Sequence, residues 1–124
     1  MSQVSHTFNF PAPDRLISLN DRDHWAKRSR LTRSWRTAAK LYALADKMPK
    51  GLPFSRIEIT LPVRDNRARD PHNVVPTCKA IVDGMVDAGM FADDNSKHLT
   101  LAEPVLAVGD RVTVTIVVDP KQAP

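Results

Sequence analysis

A single cysteine, Cys78, occurs in 124 residues. One thiol excludes an internal disulfide and points to a reducing compartment. Long apolar runs are missing as well: no stretch approaches the roughly 18 residues of a membrane span. The opening MSQVSHTFNF has no basic segment followed by an apolar one, so no secretory signal is expected and the expected location is the cytoplasm. Residues 80–95 contain four aspartates and no base, whereas residues 22–40 contain seven Lys or Arg and one acid, Asp23. No internal repeat, linker or second domain is visible, so residues 1–124 are expected to form one domain of ordinary size.

What is present is a globular balance. Hydrophobic residues make up 42% and charged residues 26%, which supplies a core and argues against a disordered chain. The net charge of +4 is modest, and its placement says more than its size. A basic handle beside an acidic pocket suits a polyanion held at one surface and cut at another. Two ordinary solvated faces would give the same composition.

Hydrophobic periodicity orders the chain. Val4, His6, Phe8 and Phe10 alternate with polar neighbours, giving a half-buried strand stopped by Pro11 and Pro13. Asp23 to about Met48 reads as a helix: Leu31, Trp35, Ala38, Tyr42 and Ala45 form an apolar arc, with Arg30, Arg33, Arg36 and Lys40 nearly opposite. Its aromatics are expected in the core; its basic stripe is either a solvated face or a set of phosphate contacts. Ile57, Ile59, Leu61 and Val63 alternate in a second strand, with Pro62 predicting fraying or an edge near its end. A second helix is predicted from about Val74 to Ala88, capped by Asn73, with Pro76 in its first turn and Gly89 after its end. Val74, Cys78, Ile81, Met85 and Ala88 make its apolar arc, and His72, Lys79, Asp83 and Asp87 lie opposite. A weak strand from about His98 to Leu106, a turn at Gly109–Asp110 and an alternating strand from Val112 to Val118 suggest a C-terminal hairpin. The order β-α-β-α-β-β predicts an α+β two-layer sandwich, a small mixed sheet with two helices on one face.

The chemistry concentrates between Arg64 and Asn95. Three arginines (Arg64, Arg67, Arg69) run into Asp70, and the stretch closes on Asp93–Asp94. A hard cation such as Mg²⁺ takes carboxylate oxygens together with water and phosphate oxygens, and it can stabilise charge on a phosphodiester and activate a water. Asp70, Asp94, and Asp93 or Asp83 are the candidate ligands, with Lys79 a point charge for the phosphate. Bland readings stand beside these. Asp70-Pro71 is a common turn pairing, Asp93–Asp94–Asn95 a polar loop, Lys79 and Asp83 a routine i,i+4 ion pair, and His72 a solvated residue.

Asp70-x-x-Asn73, Lys79-Ala-x-x-Asp83 and Gly89-x-x-x-Asp93-Asp94, preceded by Pro11-x-Pro13 and Asn20, resemble the RusA family of Holliday junction resolvases. The resemblance implies a small homodimeric, Mg²⁺-dependent endonuclease of bacteria and prophages that nicks four-way DNA junctions symmetrically. It further implies that Asp70 and Asp94 are catalytic metal-binding carboxylates, that Lys79 is an essential basic residue of the catalytic site, and that Asp83 occupies a recurring acidic position. Arg30, Arg33, Arg36, Lys40, Arg64, Arg67, Arg69 and Asn73 are then the candidate DNA-binding residues. The chain departs from the family pattern where His72 replaces an acid and where three extra residues precede Lys79. Imidazole is a poor ligand for Mg²⁺ and a better one for Mn²⁺, which makes His72 a candidate ligand and Mn²⁺ an alternative metal. The rival expectations are a non-catalytic junction binder that lost cleavage through His72, and a phage structural protein with an incidental charge pattern. Asp70 and Asp94 flank a helix of about 15 residues, roughly 20 Å long. Sharing one ion therefore requires either a fold-back after Gly89 or an antiparallel dimer.

Overall fold

A computed structural model describes residues 4–22, 24–91 and 99–118. The elements run β1 (Val4–Pro11), α1 (Trp25–Ala45), β2 (Ser55–Val63), a 3₁₀ turn (Pro71–Val74), α2 (Val75–Asp87), β3 (Leu99–Leu101), β4 (Val105–Val108) and β5 (Arg111–Val118). This is the expected α+β arrangement with one strand more: the weak segment around residues 98–106 is two short strands, separated at Ala102–Pro104.

Strand order in the mixed sheet is β1-β5-β2-β3, with β4 beside β3 along the same edge of β2. β5 is antiparallel to both β1 and β2, while β3 and β4 are parallel to β2. The C-terminal hairpin is thus not formed. Gly109–Asp110 carries the chain across the end of β2, so that β4 and β5 flank it on opposite sides, and the Gly109 amide donates to Val63 O at 3.1 Å. The turn residues mark a reversal but do not choose the partner, and the β2 edges outcompete local pairing. Pro62 sits past Thr60, where the β5 ladder ends, so its missing N–H breaks no β5 pairing.

Register places Phe8, Val114 and Ile59 in one row and Ile57 beside Ile116, so all buried strand side chains share one face. Thr7, Asn9, Arg56, Thr113 and Thr115 occupy the other, polar face. The core lies between the apolar face and the two helices, with Trp35, Phe10, Ile81 and Met85 fully enclosed.

The arc predicted for α2 holds: Val74, Cys78, Ile81, Met85 and Ala88 are all buried, and burial pushes the Cys78 thiol up to about 12. The arc predicted for α1 holds only in its first half. Leu31 and Trp35 are buried, but Ala39 and Ala43 continue the core, while Tyr42 and Ala45 are exposed. The cause is Gly84. A Cβ built there would lie 2.2 Å from Arg36 O and 2.9 Å from Ala39 Cβ, so α1 approaches α2 through its small residues. Tyr42 turns instead onto the Phe10 ring, centroids 5.5 Å apart.

Candidate functional site

Both ends of α2 are fixed tightly. The cap differs from the expected Asn73: Asp70 Oδ1 accepts from the His72 amide at 3.0 Å and caps the 3₁₀ turn, while α2 itself has no side-chain cap. Asp70 precedes Pro71, and its extended backbone leaves one carboxylate oxygen to cap a short turn, which is the Asx geometry this residue favours. Asn73 acts through its backbone, its carbonyl accepting from the Leu19 amide at 2.8 Å. At the far end Gly89, with φ +82°, completes a helix stop in which Met90 N donates to Met85 O and Gly89 N to Val86 O.

The loop between β1 and α1 is pinned over the start of α2. Buried Thr77 accepts from Ile17 N at 2.8 Å and donates to Ile17 O at 3.0 Å through one hydroxyl. Trp35 Nε1 donates to Arg15 O at 2.8 Å, and an Arg28 guanidinium N–H donates to Ser18 O at 3.1 Å. Neither Thr77 nor this role of Trp35 was legible beforehand; only a hydroxyl within an apolar arc hints at it.

The expected opposite face of α2 is solvent-facing: His72, Lys79 and Asp83 are exposed. Lys79 and Asp83 stand at ion-pair spacing, yet they form no salt bridge with each other or with any other described residue. They border a groove of about 240 Å³ between α2 and the β2–β3 edge, floored by Ile57, Val82, Leu99 and Leu101. Asp87 behaves differently. It accepts from Arg36 Nε at 2.6 Å and Nη2 at 2.9 Å, a bidentate clamp between the helices. The Arg36 hydrogen bond holds the Asp87 carboxyl below the usual carboxylate range and raises the guanidinium.

The structure therefore sorts the basic candidates. On α1, Arg30, Arg33 and Lys40 are exposed, and Arg36 is occupied by Asp87. In the loop after β2, Asp65 gathers two of the three arginines. Its Oδ1 accepts from Arg67 N at 3.0 Å and from Arg69 Nη2 at 2.9 Å, and Arg69 also reaches the backbone carbonyls of Asp65 and Arg67. These contacts, the Arg67 amide first, hold the Asp65 carboxyl low. Three arginines against Asp65 and Asp70 leave residues 64–70 with one net positive charge, and among the described residues only Arg64 of the three has no carboxylate partner. The sequence alone does not mark Asp65, although Arg-x-Arg two residues on is the spacing a single carboxylate can hold.

The metal candidates are not gathered. Among the described residues no group of three or more His, Cys, Asp or Glu could hold an ion. Asp70 and His72 sit at the start of the 3₁₀ turn, whereas the Asp83 Cα lies roughly 12 Å along α2 from Val75. Within one protomer, one ion cannot use both carboxylates. Asp70 retains Oδ2, an exposed hard oxygen suited to the one or two carboxylates that Mg²⁺ takes beside water and phosphate. Asp93, Asp94 and Asp23 lie outside the described residues. Among the described residues no helix is long and apolar enough to cross a membrane. No protein-family model matches this chain, and no curated protein sequence matches it either.

Proposed function

We propose that this chain is a divalent-metal-dependent endonuclease that nicks four-way or otherwise branched DNA as a homodimer. The observation that carries the proposal is the state of Lys79 and Asp83: charged neighbours at ion-pair spacing that bond to no described residue and instead border a groove. Their structural alternative, a routine surface pair, is not what the helix makes of them. The spacing of Asp70, Asn73, Lys79, Asp83 and Asp93–Asp94, like that of the RusA resolvases, supports the same reading.

Each residue then has a part. Asp70 offers Oδ2 to the ion while its other oxygen fixes the carboxylate on the His72 amide. A bound Mg²⁺ or Mn²⁺ would polarise the phosphodiester and lower the pKa of a water. Lys79, one turn inside α2, supplies a cation to the developing phosphate charge, and Arg64, Arg30, Arg33 and Lys40 hold flanking phosphates. Within a protomer Asp83 is too far along α2 to share the ion of Asp70, and it is assigned to the groove beside Lys79. Asp94, with Asp93, supplies the further carboxylate.

The test is cleavage of a synthetic four-way junction against a matched linear duplex, in Mg²⁺, in Mn²⁺ and in chelator. Paired nicks confined to the junction, lost in chelator and in Asp70→Asn, are expected. Junction binding without cleavage in either metal would convert the protein to a non-catalytic binder, and indifference to branched DNA would remove both readings. Mixing Asp70→Asn with Asp94→Asn protein then reads the assembly. Recovered cleavage means that two protomers share a site, and none means that each protomer completes its own.

A further inference from the structure

The chain has two tryptophans with opposite fates. Trp35 is fully buried and hydrogen-bonded, whereas Trp25, the first residue of α1, is 73% exposed. An indole left in water forgoes the burial energy that makes Trp a core residue, and it stands here as one wall of a groove. That groove, about 490 Å³, is lined by Trp25, Arg28, Ser29, Thr32, Arg33 and Arg36. The positions form one helical stripe with three arginines, two hydroxyls, an aromatic and no acid. From Trp25 to Arg36 the stripe runs roughly 17 Å along the helix axis.

The charges in it differ in what they have to spare. Arg36 is spent on Asp87. Arg28 donates to the neutral Ser18 carbonyl, and neither Arg28 nor Arg33 has a carboxylate partner among the described residues. The Trp25 ring is itself steadied by His24, centroids 5.4 Å apart and planes tilted by 35°, while His24 Nδ1 accepts from the Ala26 amide. An exposed aromatic face beside arginines that have no carboxylate partner among the described residues meets the needs of an unpaired nucleotide: a plane for the base and cations for its phosphates.

We infer that Trp25 stacks an unpaired base of the DNA substrate, with Arg28 and Arg33 holding the adjoining phosphates. This rests on the nucleic-acid reading above and adds to it a preference for unpaired bases, such as those at a branch point. Arg28 and Arg33 anchor the strand and Trp25 discriminates it from duplex, where bases are already stacked.

Binding of a fluorescein-labelled oligothymidylate and of a blunt hairpin duplex separates the possibilities, using the full chain as wild type, Trp25→Ala and Trp25→Phe. Intrinsic tryptophan fluorescence is followed in parallel, since Trp35 is shielded. The oligothymidylate is expected to quench wild-type fluorescence. Trp25→Ala should weaken its binding about 5- to 150-fold and remove the quenching, while Trp25→Phe keeps part of the affinity and duplex binding stays within about twofold. Equal losses on both probes would overturn stacking, as would undiminished oligothymidylate binding by Trp25→Ala; in either case the nuclease reading stands. Binding of neither probe by the wild type would overturn stacking, and failure to bind an unlabelled four-way junction as well would overturn the nuclease reading.

Discussion

The two faces of α2 invite comparison because they belong to the same thirteen residues and share nothing else. Toward α1 and the β1–α1 loop every polar group is used. Thr77 serves both backbone groups of Ile17, Asp87 takes two bonds from Arg36, and Gly84 admits the α1 backbone. Toward β3, Lys79 and Asp83 are bonded to no described residue and border a half-apolar groove. A polar group bonded within the fold is explained by the fold. One left unbonded beside a cavity is available to something else, and on the proposed function that contrast gives structure to one face and chemistry to the other.

Substitution on the packed face should therefore cost stability, and the largest loss is expected at Gly84. Gly84→Ala places its Cβ against the Arg36 carbonyl, which is backbone and cannot move aside, so the helices must part. A destabilisation of about 3 kcal/mol is expected even after the ~1 kcal/mol of helix propensity that alanine returns, or roughly 10 °C in melting temperature. An unchanged thermal melt would show that α1 and α2 are less closely packed than this.

Thr77→Val keeps the shape and removes the hydroxyl, leaving the Ile17 N–H and C=O buried without their partner. About 2 kcal/mol should be lost in denaturant titration, and amide exchange at Ile17 should accelerate more than in β5. Uniform acceleration across the chain would mean that the loop is not a local unit.

Asp87→Asn should cost less, about 0.5–1 kcal/mol, because the clamp is partly exposed, with Arg36 and Asp87 side chains 48% and 31% accessible. Its pH signature is the sharper test. The Asp87 carboxyl is held low, so its contribution is present above the ordinary aspartate value near 3.9 and disappears as pH falls through the lower folded value. Wild type and Asp87→Asn should differ at neutral pH and converge in acid, and a gap that widens in acid would refute the clamp.

Smallest of all in stability should be Lys79→Ala, within about 0.5 kcal/mol, because no bond to a described residue is lost.

The packed face was partly legible from sequence. The α2 arc from Val74 to Ala88 could be read because its apolar residues repeat at helical spacing and alternate cleanly with charge. The second half of α1 could not, since hydrophobicity ranks Tyr42 above Ala39, whereas the approach at Gly84 selects for small size. Arg36–Asp87 and Thr77–Ile17 join residues 51 and 60 apart, beyond the reach of any local pattern. Of the candidate site, the exposure of His72, Lys79 and Asp83 followed from the helical period. The separation of Asp70 from Asp83 follows from the rise of α2, whereas the Asp65 link between Arg67 and Arg69 depends on how the β2–α2 turn folds.

The most direct measurement takes one preparation of Lys79→Ala through both assays, thermal unfolding and cutting of a four-way junction in Mg²⁺ and Mn²⁺, beside the wild type. If Lys79 acts on the phosphate and not in the fold, the melting temperature stays within about 2 °C of wild type and cutting of the junction falls about a hundredfold or more. A variant that cuts as fast as wild type, or a wild type that cuts the junction in neither metal, would contradict that role.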